Sequence, residues 1–167
     1  MPDDQPRDPL SLDAQLCFTV YAASRALTGL YRDLLADLGL TYPQYLVMLV
    51  LWERGPVPVK ELGAALRLDS GTLSPLLRRL EAAGLVGRER SGSDERVVRA
   101  VLTERGAAMR ERAERIPERV LCATGLDGQE ARTLRALLDR VTSSLGADAP
   151  PPGAASACQP PPQEDRA

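Results

Sequence analysis

The segment from Pro56 to Leu102 constrains this chain more than any other. From Val59 it reads VKELGAALRLDSGTLSPLLRRLEAAGLVGRERSGSDERVVRAVL. Val59 to Leu66 carries a short helical pattern, Arg67-Leu68-Asp69 turns, and Ser70 to about Ala83 carries a second helical pattern that Gly84 ends. Their apolar stripes, Leu62, Ala65 and Leu66 on one and Leu73, Leu76, Leu77 and Leu80 on the other, can be buried against each other. Two β-compatible runs follow, Leu85–Arg90 and Val97–Leu102, around Ser-Gly-Ser-Asp-Glu. That middle is turn chemistry, so a β-hairpin is expected. Helix, turn, helix and hairpin in one short stretch leave few packings open.

The outward face of the second helix carries Ser70, Thr72, Ser74, Arg78 and Arg79. Short hydroxyls and arginines are the side chains that contact base edges and phosphates in a major groove. The start of that helix also offers backbone N–H groups to a phosphate. Pro75 removes one backbone bond near the N-terminus, where the cost is small. The hairpin adds Arg88, Arg90 and Arg96, with Asp94 placed to hold the Arg96 guanidinium for a minor groove. Pro56–Leu102 holds eight Lys or Arg against six acids, a local balance of +2 in a chain of net charge −2. A DNA-reading role therefore rests on local charge placement, not on the whole chain.

Helices are expected on both sides of this unit. Leu16, Val20, Ala23, Leu27, Leu30, Leu34 and Leu38 recur at helical spacing, which predicts one helix from Leu12 to about Leu38, capped by Ser11 and ended by Gly39. At ~1.5 Å per residue such a helix runs about 40 Å, long enough to pack outside its own subunit. A short helix over Pro43 to about Glu53 follows, and Arg54-Gly55-Pro56 breaks the chain. After the hairpin, a fifth helix is expected from Thr103 to about Cys122, and a last one, capped by Asp127, to about Leu145. Residues 1–10 read as a flexible arm and 146–167, rich in proline, as a disordered tail. The domain is thus 11–145, mainly α with a small β-wing.

Composition excludes several classes. There is no histidine, and the three cysteines lie far apart, so neither a metal site nor a cofactor is expected. The N-terminus has no basic segment followed by an apolar run, and no run of 18 apolar residues occurs, so a cytoplasmic protein without a membrane span is expected.

The segment 59–106 resembles the winged helix of the MarR family, most specifically at LDSGTLSPLLRRLE and SDERVV, and the resemblance runs from about Leu12 to Leu145. It implies a winged helix-turn-helix over about 56–102. It also implies a homodimer whose base is formed by the first, fifth and sixth helices, 11–38 and 103–145. Two reading heads would then meet successive major grooves of a near-palindromic site in double-stranded DNA.

Cys17 lies early in the first helix, in QLCFTVY. Tyr21 follows at i+4, Tyr31 at i+14 and Tyr42 at i+25. Phenol O–H groups can donate to a thiolate and stabilise it. Tyr31 sits about 21 Å along a straight helix from Cys17, so it can reach only the cysteine of an antiparallel partner. This pattern resembles the OhrR branch of the family. By that resemblance Cys17 is the peroxide-reactive cysteine, Tyr31, Tyr42 and Tyr21 hydrogen-bond it, and Cys122 is its disulfide partner after oxidation. The implied function is a repressor, not an enzyme, released when an organic hydroperoxide oxidises Cys17. The alternative is a MarR-type repressor answering to a small phenolic or other ligand, with Cys17 only a core residue. A thiol peroxidase and a protein-binding module fit fewer features. The first has no CxxC, and the second leaves the exposed hydroxyls and arginines without a purpose.

Overall fold

The computed structural model describes residues 8–91 and 94–146, with the side chains of 91–96 outside the description. Most of the expected arm (1–7) and tail (147–167, with Cys158) therefore lie outside the described residues. The chain divides into two units, 1–120 and 121–167.

The elements are α1 Leu16–Leu35, α2 Tyr42–Arg54, β1 Val57–Pro58, α3 Val59–Leu66, α4 Ser70–Ala82, β2 Val86–Ser91, β3 Asp94–Leu102, α5 Glu104–Ala113, α6 Ile116–Thr124 and α7 Gly128–Ser144. Helix, turn, helix and hairpin stand as expected from the sequence. The three strands form one antiparallel sheet in the order β1-β3-β2, with Val57 opposite Ala100 and Val86 opposite Leu102. The register shifts between Arg90 and Ser91.

Three expectations need correction. The first helix is not continuous from Leu12. A 3₁₀ turn, Leu12–Ala14, precedes α1, another, Ala36–Leu38, follows it, and Ser11 makes no side-chain cap. At ~1.5 Å per residue α1 is about 30 Å long, and Cys17 falls in its first turn. The fifth helix breaks after Ala113. Pro117 has no N–H for the Ala113 carbonyl and its ring crowds that oxygen, so α5 stops there and α6 restarts. β1 was not expected: two residues, one of them proline, carry no readable alternation.

The core of the first unit is built on α2, which buries Tyr45, Val47, Met48, Val50 and Leu51. The capping glutamine, Gln44, accepts from the Thr41 backbone N–H at 2.8 Å and so starts this helix without an orphaned side chain. Gly39 and Gly55, both at positive φ, close the segments on either side of α2. Leu62, Leu73, Leu77 and Leu80 from α3 and α4 and Ala100 from β3 complete the core. Ala65, expected inside, is exposed. Gly63 is buried in its place, and a Cβ there would meet the Leu68 carbonyl at 3.0 Å, so the α3–α4 turn closes on bare backbone.

The outer helices look different. α1 buries only Leu35 and leaves Leu16, Phe18, Val20, Tyr21 and Leu27 exposed. In the second unit, α7 buries nothing and exposes Leu134, Leu137, Leu138 and Val141 on one stripe. Asp127 caps α7 as expected, accepting from Gln129 and Glu130 N–H groups at 2.7 and 2.8 Å.

Candidate nucleic-acid interface and cysteine site

α4 is oriented by its buried leucines. With Leu73, Leu77 and Leu80 inside, Ser70, Thr72, Arg78 and Arg79 are exposed, while Ser74 is half-buried at the edge of the face. Pro75 lies within a continuous helix. Asp69 is the cap. Its carboxylate accepts from the Thr72 N–H at 2.8 Å and from the Thr72 hydroxyl at 3.1 Å. These bonds, the Thr72 backbone N–H first, hold the Asp69 carboxyl below its ordinary range. This corrects one expectation. N–H groups that the helix start was to offer a phosphate are already occupied by a carboxylate of the same chain.

A pH dependence follows. A depressed carboxylate pKa contributes stability above its unfolded value, ordinarily 3.8, and loses it as pH falls through the folded value. Asp69→Asn is therefore expected to lose part of the native acid sensitivity below pH 4 in melts followed by circular dichroism. Parallel curves for the two proteins would rule the cap out.

In the wing, Arg90 is exposed. Arg88 is engaged within the chain: its Nε lies 3.0 Å from Glu81 Oε1, tying β2 to α4. Arg99 Nη2 donates to the Pro56 carbonyl at 2.8 Å and so secures β1 against β3. The side chains of Asp94 and Arg96 lie outside the described residues.

The wing root is fastened to α5. The Thr103 hydroxyl donates to the Gly84 carbonyl at 2.7 Å and accepts from the Gly106 N–H at 3.0 Å. Arg105 Nη1 donates to the Ala83 carbonyl at 3.1 Å. Gly106 lies so close to Leu85 that a Cβ would overlap its carbonyl oxygen.

Cys17 and Cys122 are both free and exposed. Within this chain Cys17 does not meet Tyr31, since both sit on α1, about 21 Å apart at ~1.5 Å per residue. Tyr21 accepts at its phenol oxygen from Arg25 Nη1 at 3.0 Å, and the Arg25 guanidinium lies 5.7 Å from the ring centre. The structure does bring Tyr31 and Tyr42 together, with ring centres 4.3 Å apart. Two residues not expected at the site extend this pair. Tyr45 lies 5.9 Å from Tyr31, and Trp52 lies 6.1 Å from Tyr45. The Trp52 indole N–H donates to the Gly106 carbonyl at 2.9 Å. Tyr42, Tyr45 and Trp52 stand at i, i+3 and i+10 of one helix, a spacing that was legible in the sequence.

Burial raises the pKa of Tyr31, helped by the neighbouring Tyr42, and raises that of Tyr42. Burial, with Tyr31 and Tyr42 nearby, pushes Tyr45 up to about 12. The three phenols are therefore O–H donors at neutral pH. A raised pKa contributes stability that is complete below the unfolded value near 10 and is lost as pH rises through the folded value. Tyr45→Phe is expected to flatten the fall in stability above pH 10, read against phenolate absorbance. An unchanged alkaline limb would show that Tyr45 ionises as freely in the fold as outside it.

An open cleft borders the Tyr45–Trp52 end of this row. Tyr45, Leu49, Trp52, Arg110, Ala113 and Pro117 are among its lining residues.

Comparison with known proteins gives a consistent result. The family described as transcriptional regulator SarA/Rot matches residues 29–112. The HTH-type transcriptional regulator TtmR of Methylorubrum extorquens is 53% identical over 81% of this chain and 68% of its own length. The organic hydroperoxide resistance transcriptional regulator of Bacillus subtilis is 45% identical over 83% of this chain and 94% of its own. Among solved structures, reduced AbfR bound to DNA is 36% identical, with a TM-score of 0.67, covering 81% of this chain and 94% of AbfR. The family and both sequence relatives are transcriptional regulators by name, and AbfR was solved bound to DNA. Family match, sequence identity and fold together make this chain a member of the SarA/Rot- and MarR-type winged-helix transcriptional regulators, on the branch of the organic hydroperoxide regulators.

Proposed function

We propose that the protein is a homodimeric DNA-binding repressor that leaves its operator when an organic hydroperoxide oxidises Cys17. The observation that carries this is the packed, protonated pair Tyr31 and Tyr42, taken with an exposed Cys17 at the other end of the helix that carries Tyr31. A second copy whose α1 runs antiparallel brings its Cys17 to the tyrosine pair. The apolar stripes on α1 and α7 are the surfaces such a dimer would cover, the dimer base expected from the sequence.

In this mechanism the phenol O–H groups donate to the Cys17 thiolate. Its sulfur attacks the outer oxygen of the hydroperoxide, the O–O bond breaks, and the alkoxide leaves as an alcohol after taking a proton. The product is a sulfenic acid at Cys17. The thiol of Cys122 from the partner then attacks that sulfur, water leaves, and a disulfide joins the subunits. The tyrosine bonds to the thiolate are lost in the first step. The names of two relatives fit a thiol-based signal, although they do not give its order of events. The Bacillus relative is a regulator of organic hydroperoxide resistance, and AbfR has been solved overoxidised on DNA and in a disulfide-formed state. Double-stranded DNA would be read by Ser70, Thr72, Ser74, Arg78 and Arg79 in a major groove and by the wing (Arg88, Arg90, Asp94, Arg96) beside it. A repressor of this kind works in the cytoplasm, and among the described residues no single helix is long and apolar enough to cross a membrane.

The test is binding to the DNA upstream of its own gene, before and after cumene hydroperoxide, for the native protein and Cys17→Ser. Oxidant is expected to release the native protein at least tenfold and to leave the serine variant bound. Equal response of both would remove Cys17 from the mechanism. The cleft beside Tyr45 and Trp52 favours one other reading, a small aromatic ligand as the signal. Release by a salicylate-like compound, with no response to hydroperoxide, would select it.

A further inference from the structure

We infer that Trp52 is a positioning residue that couples the tyrosine pair to the wing and to α4 through its hydrogen bond to Gly106. This role rests on the sensor proposed above and adds how its state reaches the DNA-reading face.

The path is continuous. Tyr31 packs against Tyr42, with ring centres 4.3 Å apart and ring planes tilted by 34°, and lies 5.9 Å from Tyr45. Tyr45 is only 2% exposed, so its ring is held by packed neighbours even though it borders the cleft. It meets Trp52 edge-on at 6.1 Å. The indole has a single donor, and that donor is fixed on the Gly106 carbonyl at 2.9 Å, a bond across 54 positions of sequence. Gly106 in turn sits against the backbone of Leu85, between the end of α4 and the first strand of the wing. Thr103 and Arg105 hold Gly84 and Ala83 from the same end of α5. A shift of the tyrosine pair thus has a packed route to the root of the wing and the C-terminus of α4. Phenylalanine at 52 would keep most of the ring packing and remove only the directional bond.

Plain core packing is the competing account, and it makes a different prediction. Packing alone lets Trp52→Phe change stability without changing how oxidation is transmitted. Trp52 is the only tryptophan of the chain, so its emission reports this one position.

The experiment uses the full-length protein, labelled DNA from upstream of its gene, and cumene hydroperoxide. Native protein, Cys17→Ser and Trp52→Phe are compared in DNA release, in sulfenate formation at Cys17 and, for the first two, in tryptophan emission. Trp52→Phe is expected to bind DNA within threefold of native and to form sulfenate at the native rate. It is expected to need at least tenfold more oxidant for half-release. Native emission is expected to shift in step with release, and Cys17→Ser emission to stay still. Native-like release from Trp52→Phe, or a static native emission during release, overturns the coupling. If Trp52→Phe binds DNA poorly before oxidation, the native emission alone decides. If the native protein is not released, or Cys17→Ser is released as well, the sensor has failed and the coupling falls with it.

Discussion

Replacing Arg78 and Arg79 together with alanine is expected to weaken operator binding by about 2–6 kcal/mol, thirtyfold or more, with little change in melting temperature. Both side chains lie on the exposed face of α4, opposite the buried Leu73, Leu77 and Leu80. Their loss opens no cavity. If either side chain neutralises a phosphate, the dependence of affinity on salt will also fall, by about one in log–log slope for each phosphate left without its arginine. Fluorescence anisotropy of labelled DNA across a salt series measures both quantities. Affinity within threefold of native would mean that this face of α4 does not lie in a groove. Arg88→Ala is a useful contrast. Its guanidinium is engaged with Glu81, so its effect on DNA should be smaller than that of the α4 pair.

Gly106→Ala is expected to destabilise the protein by about 3 kcal/mol or more, lowering the melting temperature by roughly 10 °C. Ordinarily alanine in a helix is better than glycine by about 1 kcal/mol. Here the sign reverses, because the added methyl would overlap the Leu85 carbonyl and crowd Leu102 at 3.3 Å. Backbone cannot rotate away as a flexible side chain would, so α5 must lift off the wing root. That movement also strains the Trp52 bond to the Gly106 carbonyl and the Thr103 cap. Thermal melts by circular dichroism decide it: a variant melting within 2 °C of native would show that the two backbones are not in close contact.

Much of the reading unit was legible because its signals are local. Leucines at helical spacing set the α3 and α4 faces, and turn residues between β-compatible runs set the hairpin. What escaped depends on contacts distant in sequence or on single polar atoms. β1 exists only because β3 pairs with it at Ala100 and Arg99. Ala65 matches the apolar stripe, yet Gly63 takes the inside position because the turn approaches at Leu68. Pro117 acts on a carbonyl four residues before it, inside a pattern that otherwise reads as one helix, and two helices occur where one was expected. Asp69 lies next to the expected helix start, but its capping role depends on a single pair of bonds to Thr72. At the cysteine site, the sequence picks out Tyr31 and Tyr42, which the fold brings into contact. The helical spacing of Tyr45 and Trp52 from Tyr42 is legible, but the bond that ties Trp52 to Gly106 spans 54 positions and is not.

The fastening of the wing at Thr103, Arg105 and Gly106 has a mechanical consequence. β3 runs from Leu102, beside that anchor, to Asp94. At about 3.3 Å per strand residue this is an arm of roughly 26 Å, and a tilt of about 10° at its root carries the far end through roughly 4–5 Å. A direct hydrogen bond spans about 3 Å and weakens steeply once stretched. A rotation too small to disturb the core around α2 is thus amplified along the arm into a displacement that no side-chain contact at its end can follow.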